Sequence, residues 1–396
     1  QTLTIHSLCC PTAVRAAATL AVLLMEPRKS GRGSASRPCV PLRKSPMSSP
    51  DAIRAEARSL AQFVMRYREP SVPRSLFELA VSAGALVILW VAMWLSLGIG
   101  YWLTLLIAVP AAGFLMRLFL IQHDCGHGAF FRHRALNDWL GRSLGIITLT
   151  PYDVWRRAHA VHHATTGNLD RRGMGDIGTI TVREYKARSW LGRLAYRIYR
   201  HPIVMFGIGP AYVFIVQQRL PMGMMRDGWR PWVSSLATNA AIAIAVVLMM
   251  WLVGPLHFLL VQTPIVLAAA SIGVWLFYVQ HQFEGTRWAN NDGWDFHEAA
   301  LHGSSHYDLP PVLQWFTANI GLHHIHHLSS RIPYYRLPQV LRDRPDLADV
   351  SRVTLLQSLA TVRLALWDEE GQRLVSFREA RNLGAANPVS PADTAA

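Results

Sequence analysis

Charge is scarce in this sequence. Only 16% of its 396 residues are Asp, Glu, Lys or Arg, against 51% hydrophobic. That balance is too apolar for an ordinary soluble enzyme of this length and places the chain in a membrane. Acidic residues are fewest, 25 against 39 basic ones, which leaves a net charge of +14. Nucleic acid does not account for the excess, because no basic helix alternates with base-stacking aromatics in a polar domain. Cysteine is scarce too: Cys9, Cys10, Cys39 and Cys125 make no Cys-x-x-Cys pair. The spacing argues against a zinc ribbon, an iron–sulfur cluster and a disulfide-stapled domain. Cys125 reads as a small packing residue.

Long apolar runs are what the chain has in place of charge. Residues 76–97 and 101–121 form one pair around Gly98-Ile-Gly100, and residues 232–253 and 256–280 form a second around Gly254-Pro255. Each run reaches the roughly 20 residues that cross about 30 Å of hydrocarbon as a helix. Neither short connection carries Lys or Arg, whereas the stretch from Gln122 to Arg200 is rich in both. The positive-inside rule therefore sends both hairpins in from the cytoplasm and back. Ile203–Gln217 is too short and too interrupted by Gly207, Gly209 and Pro210 to add a crossing; it reads as an interfacial or re-entrant helix, as does Leu136–Leu149. Residues 50–68 read as a charged amphipathic helix at the membrane surface. The expected fold is an all-α membrane protein of four transmembrane helices in two hairpins, capped on the cytoplasmic side by a histidine-rich helical domain. Residues 47–375 make up that integral-membrane domain. Residues 1–46 form an atypical basic extension, disordered or not native, whose composition fits a transit peptide or sequence upstream of a start at Met47. Residues 376–396 read as a disordered tail.

Histidine is in excess. Seventeen are present, and nine of them fall in three boxes: His123-Asp-Cys-Gly-His127, His159-Ala-Val-His162-His163 and His323-His-Ile-His326-His327, of which all but His324 have ligand spacing. Imidazole is the commonest protein metal ligand. On a helix, positions i, i+3 and i+4 share a face, so each His-x-x-His-His box can present three rings together. Eight ligands exceed what one zinc takes and suit two metals. All-imidazole coordination with open positions favours iron over calcium or magnesium, with copper and zinc left open by ligand type alone. His281, at the end of the fourth run, lies level with the boxes and joins them as a ninth candidate. The other eight histidines, His324 among them, read as bystanders. All three boxes fall beyond cytoplasmic ends of the runs, so one site can be built from them.

The boxes, together with Thr150-Pro-Tyr, Gly167-Asn-Leu-Asp170, Gly175-Asp-Ile-Gly178, Gln280-His-Gln-Phe-Glu284 and Ser329-Ser-Arg-Ile-Pro333, resemble the membrane fatty acid desaturase family, closest to its bacterial omega-6, or delta-12, acyl branch. The resemblance spans roughly residues 60–345. Its first box departs slightly, with Asp124 where many members have Glu, which does not disturb the ligands. The resemblance implies two non-haem irons held by His123, His127, His159, His162, His163, His281, His323, His326 and His327, with O2 as co-substrate. It also implies an acyl lipid or acyl thioester substrate and an inner bacterial membrane. The sequence has no flavin or nicotinamide signature and no His-Pro-Gly-Gly of a fused cytochrome b5. An external ferredoxin- or cytochrome b5-like donor is therefore expected. Alkane and carotenoid hydroxylases or ketolases share the boxes and form the main alternative; a non-enzymatic metal-binding membrane protein is a further one. Asp176, then Asp124, Asp170 and Glu284, are the carboxylates expected to orient ligand rings, and Trp155, Trp315 and Tyr152 the aromatics expected to line an acyl channel.

Overall fold

The computed structural model describes residues 59–383, so the readings made for 1–46, for 50–58 and for the chain beyond 383 fall outside the described residues. In chain order the helices are α1 (Val72–Ser96), α2 (Tyr101–His127), α3 (Arg134–Ile147), α4 (Tyr152–Thr165), α5 (Val182–Ala187), α6 (Trp190–Tyr199), α7 (Gly209–Ile215), α8 (Trp229–Val253), α9 (Pro255–His281), α10 (Phe296–His302), α11 (Pro311–Phe316), α12 (His323–Leu328), α13 (Leu337–Asp343), α14 (Leu355–Thr361) and α15 (Phe377–Asn382). Of these, α1, α2, α8 and α9 are long and apolar enough to cross a membrane. The protein is mostly helical, and its four apolar helices form the two expected hairpins.

The long helices are set by their punctuation. Pro73 opens α1 a turn earlier than the apolar run suggested, since proline is tolerated where a helix has no N–H bond to lose. α2 does not stop at Ile121; it continues through His127 and is closed by Gly128 at φ 67°. Only glycine adopts that left-handed cap without strain. The first histidine box is therefore a continuation of the membrane helix. α2 is the central element, with 56% of its apolar window buried, whereas α8 buries none of its window and stands at the periphery. Small residues Ala108, Ala111 and Ala112 let α2 pack closely on Met93 of α1 and on Val261 and Ile265 of α9. A buried ion pair, Arg117 Nη2 to Glu78 at 2.5 Å, fastens α1 to α2. Tyr334 donates to the same carboxylate at 3.0 Å, so the pair is not left unsolvated. Removing one partner from such a pair costs about 3–5 kcal/mol.

Outside the spans the chain adds short strands that the all-helical expectation missed. β1 (Ile180–Thr181), β4 (Leu366–Asp368) and β5 (Arg373–Val375) make one small sheet, parallel then antiparallel. β2 (His306–Asp308) and β3 (Arg352–Thr354) pair in parallel. At two or three residues each, they staple loops rather than build a layer. The expected disordered tail from residue 376 is corrected over its first residues. Ser376 and Glu379 form a reciprocal capping box that starts α15, and Ala380 is buried against β4. Ser-x-x-Glu was the readable signal. The stretch read as an interfacial helix at 203–217 begins with a wide turn over Val204–Ile208 before α7. Gly209 is required there, because a Cβ would stand 2.7 Å from the Val204 carbonyl. Residues 59–65 are helical, and Leu60 and Val64 are buried in the main core of the domain.

Candidate metal centre

Nine histidines converge where α2, α4, α9 and α12 end together. Their ring nitrogens fall into two groups, and within each every ligand atom lies within 4.8 Å of the others: His123, His127, His159, His163 and His326 in one, His162, His281, His323 and His327 in the other. Each His-x-x-His-His box is thereby divided, a partition the shared-face reading did not anticipate. At about 100° per residue, i and i+4 diverge by only about 40°, whereas i+3 and i+4 are about 100° apart. His159 and His163 therefore aim at one point and His162 at the other, and on α12 His323 and His327 pair while His326 crosses over.

The geometry suits cations. Nε2 of His162 lies 3.1 Å from that of His281, His281 stands 3.0 Å from His323, and His323 lies 3.1 Å from His327. In the other group His159–His163 and His163–His326 are each 3.1 Å apart. Lone pairs aimed at one another at that distance repel unless a shared positive centre lies between them. For bonds of about 2.0–2.1 Å, nitrogens at right angles around a metal stand about 2.9 Å apart, and tetrahedral ones about 3.3 Å. The observed 3.0–3.1 Å lies between the two values. His127 Nε2 is buried with no hydrogen-bond partner. An orphan of that kind is expensive unless something binds it.

Surrounding groups fix the tautomers. His162 Nδ1–H donates to Asp176 Oδ1 at 2.5 Å, and His281 Nδ1–H donates to the Gly303 carbonyl at 3.2 Å. Each leaves Nε2 bare and pointing inward, the arrangement that metal-bound imidazoles adopt. Burial first, then neighbouring imidazoles, hold the pKa of His159, His163, His323, His326 and His327 well below the usual 6.5, so these rings are neutral and competent to ligate. Trp155 stacks on His159 at 4.7 Å between ring centres.

The four proposed carboxylates part ways. Asp176 meets His162, and Asp124 Oδ1 sits 3.3 Å from His123 Nδ1 while its other oxygen accepts the Tyr334 N–H at 2.8 Å. Asp170 instead accepts the Asn291 N–H at 2.7 Å, and Glu284 is exposed with no bond to a histidine. Both follow a box in sequence, but their loops turn them away from it. Gly303 was missed because a backbone carbonyl leaves no side-chain signature. Cys125 is fully buried in the core and belongs to neither group. Bystander His324 donates its Nε2–H to the Leu347 carbonyl at 3.0 Å, and His306 donates its Nδ1–H to the Ala348 carbonyl at 2.6 Å.

An apolar cavity of about 590 Å³ runs up between the long helices to this cluster. Leu115, Met116 and Phe119 of α2 face Ala269, Ala270 and Gly273 of α9 across it, and His123, His159 and His323 close its end. Both histidine groups thus reach the cavity. Its volume lies in the roughly 300–1,000 Å³ range of small-molecule sites. Trp155 lines it as expected. Tyr152 and Trp315 do not. Tyr152 is buried with its hydroxyl 2.9 Å from the Cys125 carbonyl and from Asp138, and Trp315 covers the Arg117 guanidinium at 4.0 Å.

Comparison with known proteins gives the same class of protein. The sequence model described as fatty acid desaturase matches residues 100–356. A fatty acid desaturase of Bacillus subtilis (strain 168) is 43% identical over 336 residues, covering 85% of this chain and 95% of that one. An sn-1 acyl-lipid omega-3 desaturase (ferredoxin) of Synechocystis is 28% identical over 56% of this chain and 61% of its own. An sn-1 oleoyl-lipid 12-desaturase of Synechocystis is 26% identical over 71% of this chain and 81% of its own.

Proposed function

The chain belongs to the fatty acid desaturase family, and on that footing we propose that it inserts a cis double bond into the acyl chain of a membrane lipid at the delta-12 (omega-6) position, through two irons held by the nine histidines. It is a membrane enzyme that desaturates fatty acyl chains. The observation that carries the acyl-chain reading is the cavity: a mostly apolar space of about 590 Å³ is lined by His123 and His159 of one group and His323 of the other.

The donor set supports iron. Nine imidazole nitrogens with no carboxylate among them disfavour calcium and magnesium, and a group of five donors exceeds the four of a closed tetrahedral zinc. His123, His127, His159, His163 and His326 would hold one iron, and His162, His281, His323 and His327 the other. When bound, the metals supply what no side chain can: reduction of O2, with two electrons from outside, coupled to removal of two hydrogens from unactivated methylenes. The chain supplies the rest. Asp176 and the Gly303 carbonyl hold His162 and His281 with Nε2 inward. Leu115, Phe119 and the small residues of α9 grip an extended chain and exclude water, so that one pair of neighbouring methylenes lies at the cavity end. With four ligands against five, the buried group has the greater room for a non-protein ligand. The name of one relative includes ferredoxin, which supports a ferredoxin- or cytochrome b5-like donor for this chain. Sidedness follows the charge: the histidine cap faces the cytoplasm, as in a bacterial inner membrane.

Expression in a host with a matching reductant, followed by gas chromatography of fatty acid methyl esters, is expected to show a new dienoic acid, with the bond located by mass spectrometry of its disulfide adducts. A bond at another carbon would remove the delta-12 assignment alone. An unchanged acyl profile with oxidation of an added alkane or carotenoid would replace desaturation by hydroxylation or ketolation.

A further inference from the structure

The cavity has one wall unlike the others. α2, α4 and α9 bound it as helices, with the end of α3 and the loop at 173–177 beside them, and a further side is the strap of residues 204–220, made of a wide turn, the seven-residue α7 and the tight turn Gln217–Arg219. Phe214, Gln217 and Gln218 face the cavity. Ile208, Tyr212, Ile215 and Val216 face outward, each about half exposed or more. The strap therefore separates the apolar cavity from whatever surrounds α8, and around an apolar, unburied helix that is hydrocarbon.

One side chain fastens it. Arg219 Nη1 donates to Asn239 Oδ1 at 2.8 Å, and Asn239 Nδ2 donates back to the Arg219 carbonyl at 2.7 Å. Arg219 Nη2 donates to the Leu149 carbonyl at the end of α3 and, at 3.3 Å, to the Phe214 carbonyl of α7. Asn239 is ten residues into α8, about 15 Å along its axis. A guanidinium and an amide set against a membrane helix at that depth are costly, and such groups mark function. Neither residue lines the cavity. They act on the wall and not on a bound chain. Met205 and Phe206 anchor the start of the strap, Phe206 against Trp275 and Tyr278 at 5.0 and 5.2 Å between ring centres. Swinging its later part, from Phe214 to Leu220, outward about that anchor breaks this clasp and the edge contact of Phe214 with Phe119, and leaves its outer residues in hydrocarbon. Parting α2 from α9 would instead open the core between them.

We propose that the strap is the entrance by which the acyl chain of a bilayer lipid slips sideways into the cavity, and that Arg219 is the positioning residue that latches it. The proposal rests on the acyl-lipid reading given above. The test is an Arg219→Cys, Asn239→Cys double variant of the full-length enzyme in phospholipid vesicles, joined by a short bifunctional methanethiosulfonate that thiol reductant removes. Linked after anaerobic loading with radiolabelled phospholipid, the enzyme is expected to complete a single round on the trapped chain. It should make no product from phospholipid added later, and reductant should restore repeated turnover with metal content constant. Repeated turnover while linked would place the entrance elsewhere. Loss of the first round as well would make the strap a structural wall and overturn the proposal. If neither the released variant nor the wild type alters phospholipid chains, the acyl-lipid reading falls and the entrance falls with it.

Discussion

The His162 ring is held by Asp176, which accepts its Nδ1–H at 2.5 Å and so turns Nε2 toward that of His281, 3.1 Å away. Because an outer hydrogen bond of this type sets both orientation and basicity, Asp176→Ala is expected to weaken metal retention about 10–100-fold, with Asp176→Asn intermediate since the amide oxygen can still accept. Metal per chain after dialysis against graded chelator reads this directly. Asp170→Ala is the matched control: its carboxylate caps Asn291, so retention should stay at wild type. Equal losses in both would mean that loop integrity, rather than the His162 contact, is being measured. Of these two acids only their nearness to a box was visible in the sequence, and the direction of each loop decided between them. The division of the boxes adds a second expectation. His162→Ala and His326→Ala should each abolish turnover with membrane insertion intact, yet strip metal from different groups. Full activity in either would remove that residue from the ligand set.

Among elements, α4 bears the heaviest constraint, because it feeds His159 and His163 to one group and His162 to the other. Its placement depends on Tyr152, buried at its first turn with the hydroxyl 2.9 Å from the Cys125 carbonyl of α2 and from Asp138 of α3. Gly141 of α3 makes room for that ring: a Cβ there would lie 2.2 Å from Tyr152. Gly141→Ala should therefore push α4 off its seat at a cost of about 1–3 kcal/mol. Lower metal occupancy and a lower melting temperature in detergent are the expected readouts. Gly84→Ala, in α1 with nothing within 4 Å of the new methyl, should change neither. The helical periods of α4 and α12 were legible, but the division of the histidines into two groups needed the relative rotation of both helices, which periodicity within one helix does not carry. The short strands were not legible either, since two or three residues of Leu-Trp-Asp or Ile-Thr hold no period-two pattern.

At the scale of the molecule, hydropathy located all four spans and charge implied their direction, because hydrocarbon leaves a helix no alternative way to satisfy its backbone. The ends of the spans were less legible. α2 and α9 run on as helices into His127 and His281, since leaving the membrane does not oblige a helix to stop. That continuity ties site to stem: the same helices that line the cavity deliver three of the nine histidines. Sidedness is the consequence still to be measured. The connection between α1 and α2 is Leu97-Gly-Ile-Gly100, without charge, whereas the region from α3 to α6 is dense in arginine. By the positive-inside rule the arginine-dense region is expected at the cytoplasmic face and the short connection on the other side. Single cysteines at Ile99 and Arg183, both well exposed, in a background with the native cysteines replaced, report the two faces. A membrane-impermeant maleimide added to intact spheroplasts is expected to label Ile99→Cys at once and Arg183→Cys only after permeabilisation. The reverse pattern would put the histidine cap outside and deny it a cytoplasmic electron donor; labelling of both positions without permeabilisation would contradict the hairpin itself.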